Sequence, residues 1–304
     1  MSDAAIPLAQ SDADRRAGFL ATTFAYTFWG FLPVYLHLLT FADVREVLAQ
    51  RVLWCVPSAI IAVFAMLGWR NAWREIATAL NPRMLATLAM SAILIFMNWG
   101  LYVWLVMTQR VIESSLAYFL TPLVAVAVGV LLYKERVTTA QTAALALAGV
   151  GIVVQGFALG APPWMALALC ATWSMYIIIR KAARVPAAVG LLVETIVLAP
   201  IAVGFLWWAA QLAPLSFGSS PSHTILLLLA GPATAIPLTA FAFGARRVSF
   251  TTLGLLQFLA PTLQFATGIA FGEEFTPLRA ASFALIWIGL ALFSWDTIRR
   301  ARIA

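Results

Sequence analysis

Long runs of apolar residues, bounded by charged residues or by proline and glycine, recur along the whole chain. A membrane-spanning helix needs about 20 consecutive apolar residues, whereas a strand of a membrane barrel needs only ~10 residues of alternating character. The runs in this chain have the helical length. They predict ten transmembrane helices, at residues 18–39, 44–67, 84–107, 112–133, 139–159, 163–179, 187–211, 223–245, 249–271 and 277–297.

The composition excludes an ordinary soluble protein. Of the 304 residues, 63% are hydrophobic and only 10% are charged. Soluble domains average about 45–50% apolar and about 25% charged residues. Ten spans of ~20 to 24 residues leave fewer than about a hundred residues for all loops and tails, so there is no room for a soluble domain. The predicted fold class is therefore an all-α integral membrane protein.

The positive charges predict how the helices are oriented. Ten spans place 15 of the 19 Lys and Arg residues at one end of the bundle and three, Arg45, Arg110 and Arg279, at the other, while Arg51 lies within a span. Cytoplasmic loops are enriched in Lys and Arg. Both termini are therefore expected in the cytoplasm. The 15 residues at that end are Arg15, Arg16, Arg70, Arg74, Arg83, Lys134, Arg136, Arg180, Lys181, Arg184, Arg246, Arg247, Arg299, Arg300 and Arg302.

The same distribution explains the net charge of +7. In a soluble protein this charge would suggest nucleic acid binding. In short cytoplasmic loops, basic residues instead face anionic lipid headgroups. Membrane lipids are the expected partners, and nucleic acid is not.

The two halves of the chain resemble each other. A shift of 139 residues superimposes the fourth span on the ninth and pairs Leu116, Leu120, Pro122, Gly129 and Glu135 with identical residues. A shift of 144 residues pairs Trp29 with Trp173. Because five spans is an odd number, the second copy must enter the membrane from the opposite face. The sequence thus predicts a 5+5 inverted repeat, an architecture suited to alternating access; the alternative is a duplication retained only for packing.

This repeat divides the chain into four parts. Residues 1–16 form a cytoplasmic N-terminal tail, 17–160 the first five-helix unit, 161–297 the second unit and 298–304 a cytoplasmic C-terminal tail.

Two ionisable residues lie within predicted spans. Ionisable groups cost ~2.5 to 3.5 kcal/mol at mid-membrane and are candidate functional residues by default. Arg51 and Glu194 occupy nearly corresponding positions of the two repeats, and each lies about 10 Å from one membrane face. Glu194 is expected to bind a proton or a cationic substrate group, and Arg51 to bind an anionic group or form a gate. The alternative is that each makes only local contacts, with Glu46 and Gln50 close to Arg51 in sequence.

Polar and aromatic residues concentrate in a few spans and should face the interior of the bundle. A cavity lined by aromatic, amide and hydroxyl groups suits a small amphipathic molecule; the alternative for each aromatic residue is packing or an interfacial position. The candidate substrate-binding residues are Trp29, Asn98, Trp99, Tyr102, Ser115, Tyr118, Thr121, Trp173, Tyr176, Gln257 and Gln264. The residues expected to kink helices are Pro33, Pro122, Pro237 and Pro261.

The sequence contains no recognisable motif for catalysis, for a cofactor or for a metal site. The chain contains no P-loop, hydrolase triad or haem-ligand pair, so no cofactor is expected. His37 and His223 have no companions that would complete a metal site. Cys55 and Cys170, the two cysteines, fall within spans and imply no disulfide or metal site.

Four segments resemble the RarD-type proteins, of the EamA branch of the drug/metabolite transporter superfamily. They are residues 98–104 (NWGLYVW), 113–123 (ESSLAYFLTPL), 192–195 (LVET) and 252–263 (TLGLLQFLAPTL). The resemblance covers essentially all ten spans and implies a bacterial inner-membrane permease with ten helices. It also implies roles for Glu46, Arg51, Asn98, Trp99, Glu113, Tyr118, Pro122, Glu194, Gln257 and Pro261, with Glu46 and Glu113 in coupling or gating.

The chain departs from the RarD pattern at four positions. Gln50 stands where relatives often have His, Thr121 where they have Asn, Ala117 where they have Gly, and Phe258 where they have Tyr. Loss of a histidine beside Arg51 weakens the hypothesis that this position carries a proton. The other replacements indicate a somewhat different ligand.

The leading functional hypothesis is a secondary transporter that exports a small amphipathic metabolite or drug, such as chloramphenicol or an amino acid, with protons as a possible coupling ion. It would act without a cofactor, as a monomer or a homodimer. The alternatives are an uncoupled amino-acid facilitator or exporter, and a membrane scaffold or sensor that has lost transport. A membrane-embedded enzyme is disfavoured, because no nucleophile and base occur in a recognisable motif.

Overall fold

The computed structural model describes residues 12–133 and 138–301, and within these ranges the chain forms helices and no strands. The helices are α1 (Asp12–His37), α2 (Val44–Ala79), α3 (Pro82–Met107), α4 (Val111–Tyr133), α5 (Thr139–Leu159), α6 (Trp164–Ala182), α7 (Ala187–Leu212), α8 (Pro221–Leu228), α9 (Ala230–Ala245), α10 (Phe250–Leu256), α11 (Leu259–Ala270) and α12 (Pro277–Ala301).

These helices form the predicted all-α membrane protein. Among the described residues, eight helical segments are long and apolar enough to cross a membrane. Two shorter apolar helices, Val111–Val124 and Trp164–Arg180, occupy the fourth and sixth predicted spans. The fold class predicted from the sequence is confirmed.

Some predicted features lie partly or wholly beyond the described ranges. Residues 1–11 of the predicted N-terminal tail and 302–304 of the C-terminal tail are outside them, as are Lys134, Glu135 and Arg136. Where the predicted tails are described they are helical, because α1 already begins at Asp12 and α12 continues to Ala301.

The second span bends sharply where the sequence predicts its end. Gly68 has φ 70° and ψ 165° within α2, a conformation that glycine adopts without steric cost. The helix resumes beyond it with Trp69 and Trp73 exposed and packed against Phe64. Such tryptophans are typical of a helix at the membrane surface.

The eighth and ninth spans each run as one segment, as predicted, but regular α-helical hydrogen bonding lapses at one point in each while the backbone stays in the right-handed helical region. A proline has no N–H to donate to the carbonyl four residues earlier, and its ring crowds that carbonyl. The lapses are at Leu229, beside the carbonyl of Leu228 that Pro232 cannot pair, and at residues 257–258, four residues before Pro261. Pro232 was missed in the sequence analysis.

The other three prolines expected to kink helices lie inside uninterrupted helices. Pro33 is within α1, Pro122 within α4 and Pro237 within α9. The structure thus separates two proline positions that accompany such a lapse from three that do not.

Helix contacts follow the two-fold pattern that a 5+5 inverted repeat requires. The helices α2 and α7 occupy equivalent places in the two repeats and pack against each other, as do α5 and α12, and α4 and α11. The packing of α1 against α9 and α11 is matched by the packing of α6 against α3 and α4. The two repeats therefore share one interior, in which helices of one repeat pack against helices of the other.

The bundle has two ends, and each carries its own loops. We call the end with residues 38–43, 108–110 and 213–220 the distal end, and the end from which α1 starts and at which α12 finishes the terminal end.

The close approach of α2 and α9 requires glycine at 231, because a Cβ there would overlap the backbone of Trp54.

Candidate functional site

Arg51 lies inside the bundle on the distal half of α2. Only 7% of the surface of Arg51 is exposed. The Nε atom donates to the Thr234 hydroxyl of α9 at 2.9 Å, and the guanidinium carbon lies 4.5 Å from the centre of the Trp99 ring of α3. A cation over an indole face is stabilised by the negative face of the ring. Arg51 is thus held by two helices from two different repeats.

Glu194 lies on the terminal half of α7 and is completely buried. The Ser91 hydroxyl of α3 donates to one carboxylate oxygen at 2.6 Å, and the Tyr176 hydroxyl of α6 donates to the other at 3.3 Å. The Nε atom of Arg180, also on α6, is 3.4 Å from the carboxylate. Glu194 therefore connects α7 to both α3 and α6.

The two charged sites are related by the internal repeat. A spacing of 143 residues separates Arg51 from Glu194, and the same spacing separates Ser91 from Thr234. In each case a charged side chain of the second helix of a repeat is hydrogen-bonded to a hydroxyl from the third helix of the other repeat. The sequence analysis identified Arg51 and Glu194 as an equivalent pair. It did not identify Ser91 and Thr234, although the same spacing of 143 residues relates them.

A continuous series of aromatic contacts lies between these sites. The ring centres of Tyr102 and Tyr118 are 5.9 Å apart, those of Tyr118 and Trp173 6.3 Å, and those of Trp173 and Tyr176 5.5 Å. We call Tyr102, Tyr118, Trp173 and Tyr176 the aromatic row. Tyr102 lies one turn of α3 after Trp99, whose ring contacts Arg51, and Tyr176 donates to Glu194, so the row runs between the two charged sites.

The two sites differ in charge balance. Glu194 has Arg180 as a counterion. Arg51 has no carboxylate partner among the described residues, and its Nη1 atom is buried without a hydrogen bond. The Tyr102 hydroxyl is likewise buried without a partner. The distal half of the interior thus contains an uncompensated cation and two unpaired hydrogen-bond donors, whereas at the terminal site the unpaired donor, Nη1 of Arg180, belongs to a cation that has a counterion.

A second aromatic group surrounds Trp29 of α1. Its ring centre is 5.6 Å from that of Tyr26 and 5.6 Å from that of Phe241. Gln264 of α11 donates to the Trp29 carbonyl at 3.1 Å. Two predicted site residues, Trp29 and Gln264, are therefore in contact, but no described ring contact joins this group to the aromatic row.

Of four further candidates, three make hydrogen bonds between or within helices. Asn98 donates to the Leu169 carbonyl and to Thr172, joining α3 to α6 at 3.0 and 3.2 Å. Ser115 and Thr121 donate to carbonyls of their own helix. Gln257 lies half-buried at the break between α10 and α11.

The predicted gating residues Glu46 and Glu113 lie near the distal end rather than beside Arg51. Glu46 accepts hydrogen bonds from the backbone N–H groups of Ser216 and Phe217, at 3.0 and 2.9 Å, and so fixes the 213–220 loop. Glu113 pairs with Arg110, whose guanidinium lies over Trp104. Both carboxylates therefore hold the distal loops against the bundle.

No metal centre is present within residues 12–133 and 138–301, where no group of three or more His, Cys, Asp or Glu could hold an ion. His37 lies against Phe271 with the two rings tilted, and His223 stacks on Phe41 and contacts Ser219. Cys55 and Cys170 are both free and buried.

The chain is similar over nearly its whole length to several bacterial proteins. It is 38% identical to Protein RarD of Streptomyces exfoliatus over 296 residues, which cover 96% of this chain and 93% of that protein. It is 34% identical to Protein RarD of Escherichia coli, with 94% and 97% covered. The chain belongs to the RarD family. The resemblance recognised from the four sequence segments is therefore confirmed.

Other relatives of this RarD-family chain are named as transporters. It is 39% identical to an uncharacterized transporter of Pseudomonas aeruginosa, over 95% of this chain and 97% of that protein. A second Pseudomonas aeruginosa relative, 31% identical, is named chloramphenicol-sensitive protein RarD, and the match covers 89% of this chain and 91% of that one. This chain is therefore a multi-pass membrane transporter. No family model matches the sequence.

A solved structure shares the fold. A crystal structure superimposes with a TM-score of 0.58 at 20% sequence identity and covers 91% of this chain and 97% of its own. At this identity the similarity concerns the fold alone.

The structure corrects the predicted position of one residue of the site, Arg180. Arg180 was assigned to the short loop after a sixth span ending at residue 179. Instead, α6 continues to Ala182, and Arg180 packs against Gly190 with its side chain only 12% exposed. The spacing of four residues between Tyr176 and Arg180 places both on one helix face. That spacing was the available signal for an inward-facing arginine.

Proposed function

We propose that this RarD-family chain is a secondary transporter that exports a small amphipathic metabolite or drug by alternating access. The observation that carries the proposal is the aromatic row, which runs between two oppositely charged, symmetry-related sites. Each site lies about 10 Å from its own membrane face. In a hydrocarbon core ~30 Å thick, about 10 Å then remains between them, which suits a small molecule.

Contacts at the two ends support an alternating mechanism. At the terminal end, Glu194 holds α7 to α3 and α6 through Ser91, Tyr176 and Arg180. At the distal end, Glu46 holds the 213–220 loop. Opening the terminal end requires release of the Glu194 contacts, and opening the distal end requires release of the Glu46 contacts and of the hydrogen bonds that Glu273 accepts from the N–H groups of Val111 and Ile112. Inverted repeats allow the two units to exchange conformations, so that each end opens in turn.

The orientation follows from the charges. Among the described loops, the terminal end carries most of the Lys and Arg residues, whereas Arg45, Arg110 and Arg279 lie at the distal end. The positive-inside rule then places the terminal end in the cytoplasm. The proposed location is the bacterial inner membrane, where the basic loops contact anionic lipids and the protein acts as a monomer or homodimer.

The proposed energy source is a gradient of protons or of the substrate itself. A carboxylate inside the membrane is a common proton carrier in transporters, and Glu194 is the buried carboxylate nearest the aromatic row. The competing hypotheses are an uncoupled amino-acid facilitator or exporter, which would ignore a pH gradient, and a scaffold or sensor, which would bind ligand without moving it.

Counterflow in proteoliposomes tests the proposal. Purified protein would be reconstituted with a panel of labelled amino acids, aromatic acids and chloramphenicol, which is included because of the name of one relative. Exchange is expected to exceed that of protein-free liposomes at least tenfold, and to respond to an inward proton gradient. Exchange without such a response would favour the facilitator. Absence of all exchange in folded protein would contradict transport and favour the sensor.

A further inference from the structure

We infer that Arg51 binds the carboxylate of the transported molecule, and that this molecule is a small organic monoanion with a planar apolar ring. The inference rests on the proposed transport function and names the class of its substrate. It departs from the hypothesis that Glu194 receives a cationic substrate group.

The first step concerns the unpaired donors on the distal side. The Nη1 atom of Arg51 and the hydroxyl of Tyr102 are both buried and have no hydrogen-bond partner. They are neighbours, because the Arg51 guanidinium lies over the ring of Trp99, one turn before Tyr102 on α3. Buried polar groups normally find partners, so two neighbouring orphan donors indicate that an acceptor is supplied from outside the chain. A carboxylate has two acceptor oxygens and forms charge-assisted hydrogen bonds with guanidinium groups.

The second step concerns the charge of the missing group. Thr234 and the Trp99 ring contact Arg51 directly. The titratable groups near it are Cys55, one turn away on α2, and three tyrosines of neighbouring helices, Tyr35, Tyr102 and Tyr118. No carboxylate is among them. A buried cation that lacks a counterion is costly in a membrane. A substrate anion would remove that cost, whereas a neutral or cationic substrate would not.

The third step excludes a second substrate charge. Glu194 is already bound by Ser91, Tyr176 and Arg180. A substrate ammonium group would have to displace Arg180 from the carboxylate. The two charged sites together therefore carry one positive charge without a counterion, and its complement is a molecule with a single negative charge rather than a zwitterion.

The fourth step concerns the body of the molecule. Arg51 is held with its guanidinium over Trp99, which orients its donors. Tyr118 is half-buried, and its ring lies between those of Tyr102 and Trp173. Aromatic rings prefer edge-to-face or offset contacts with other rings. An aromatic row beginning at the anion site therefore favours a ring attached to the carboxylate by a short link.

Three probes of nearly equal shape test the charge requirement. Phenylacetate, phenylacetamide and phenethylamine share a ring and a two-carbon link but carry negative, zero and positive charge. Their binding would be measured by ligand-dependent thermal stabilisation of the purified protein in nanodiscs of phosphatidylethanolamine and phosphatidylglycerol. Phenylacetate is expected to bind at least tenfold more tightly than the other two.

Variants then assign the preference to Arg51. Arg51→Gln is expected to lower the affinity for phenylacetate at least tenfold and to leave that for phenylacetamide unchanged. Arg51→Lys keeps the charge and should retain part of the preference, which provides a readout if Arg51→Gln folds poorly. Tyr102→Phe should weaken phenylacetate binding several-fold. The matched control is Arg45→Gln, which removes an exposed cation from the same end of α2 and should change nothing.

Several outcomes would overturn the inference. They are equal binding of the three probes, an undiminished preference in Arg51→Gln, and failure of folded wild-type protein to bind phenylacetate. Counterflow separates this inference from the proposed function. If only neutral or cationic solutes exchange, transport stands and the anion site is wrong. If phenylacetate binds through Arg51 but nothing exchanges, the anion site stands and transport is wrong.

Discussion

Replacement of Glu194 by glutamine is expected to lower exchange about 100-fold and to abolish its response to a proton gradient. Glu194 ties α7 to α3 and α6, and without its charge the buried Arg180 loses its counterion. Breaking a buried ion pair from one side costs about 3 to 5 kcal/mol. A shift of about 3 kcal/mol against the closed terminal end would reduce the population of that state about 100-fold. Counterflow at several pH values measures both effects.

The Glu194–Arg180 ion pair can be tested with the single variant Arg180→Gln and with the double variant that combines Glu194→Gln and Arg180→Gln. The single Arg180→Gln variant leaves a buried carboxylate without its cation and should also be impaired. The double variant leaves neither charge unpaired. Its loss should therefore be smaller than the product of the two single losses, by about tenfold or more. Glu75→Gln, a change near the surface of α2, is the matched control. Gradient-driven transport by Glu194→Gln that is intact at every pH would refute proton coupling through this residue.

Replacement of Trp173 by alanine is expected to raise the KM for exchange about 30-fold. The Trp173 ring contacts both Tyr118 and Tyr176 and so links the two halves of the aromatic row. A substrate ring packed against the Trp173 indole would lose an aromatic contact of about 1 kcal/mol and about 1 kcal/mol of buried apolar area. Loss of about 2 kcal/mol corresponds to about a 30-fold change in affinity. Trp173→Phe should retain most of the function.

A lipid-facing tryptophan controls for general effects of the substitution. Trp207 of α7 is 70% exposed at the surface of the bundle. Trp207→Ala should leave the KM within about twofold of wild type, because surface substitutions away from specific contacts have small effects. An unchanged KM in folded Trp173→Ala protein would contradict a substrate path along the aromatic row.

The sequence was sufficient to predict the membrane class, the ten spans and the two charged positions, for definite physical reasons. Apolar runs of spanning length arise only where lipid must be faced, and a charge within such a run costs enough that it stands out. Arg51 and Glu194 were found in this way. Their contacts with Trp99 and Tyr176 join residues that had been identified separately.

The hydrogen-bond and ion-pair partners of Arg51 and Glu194 depend on which helix faces pack together. A sequence pattern along one helix does not specify this packing. Ser91 and Thr234 are small hydroxyls in apolar runs, and they acquire meaning only because α3 and α9 pack against α7 and α2. Arg180 was misassigned because it follows an apolar run directly, as a loop residue would. The Arg180 side chain points toward Glu194 because of the way α6 is rotated about its axis relative to α7.

The lapse of helical hydrogen bonding in the eighth span has a similar explanation. Both Pro232 and Pro237 lie in that span, and local sequence does not say which of them interrupts the helix. The structure shows the interruption at Leu229, close to Pro232, while α9 passes through Pro237 without a break.

Reversible locking of the distal end is the most direct test of alternating access. Phe41, between α1 and α2, stacks on His223 of α8 with ring centres 3.7 Å apart, and so joins the two repeats at that end. In a background where Cys55 and Cys170 are replaced by alanine, Phe41→Cys and His223→Cys would be combined and joined by a short bifunctional methanethiosulfonate reagent, which forms a reducible disulfide with each cysteine and releases methanesulfinate. We predict that cross-linking stops counterflow, that reduction restores it, and that neither single cysteine has this effect. Undiminished exchange by fully cross-linked protein would contradict alternating access through this end.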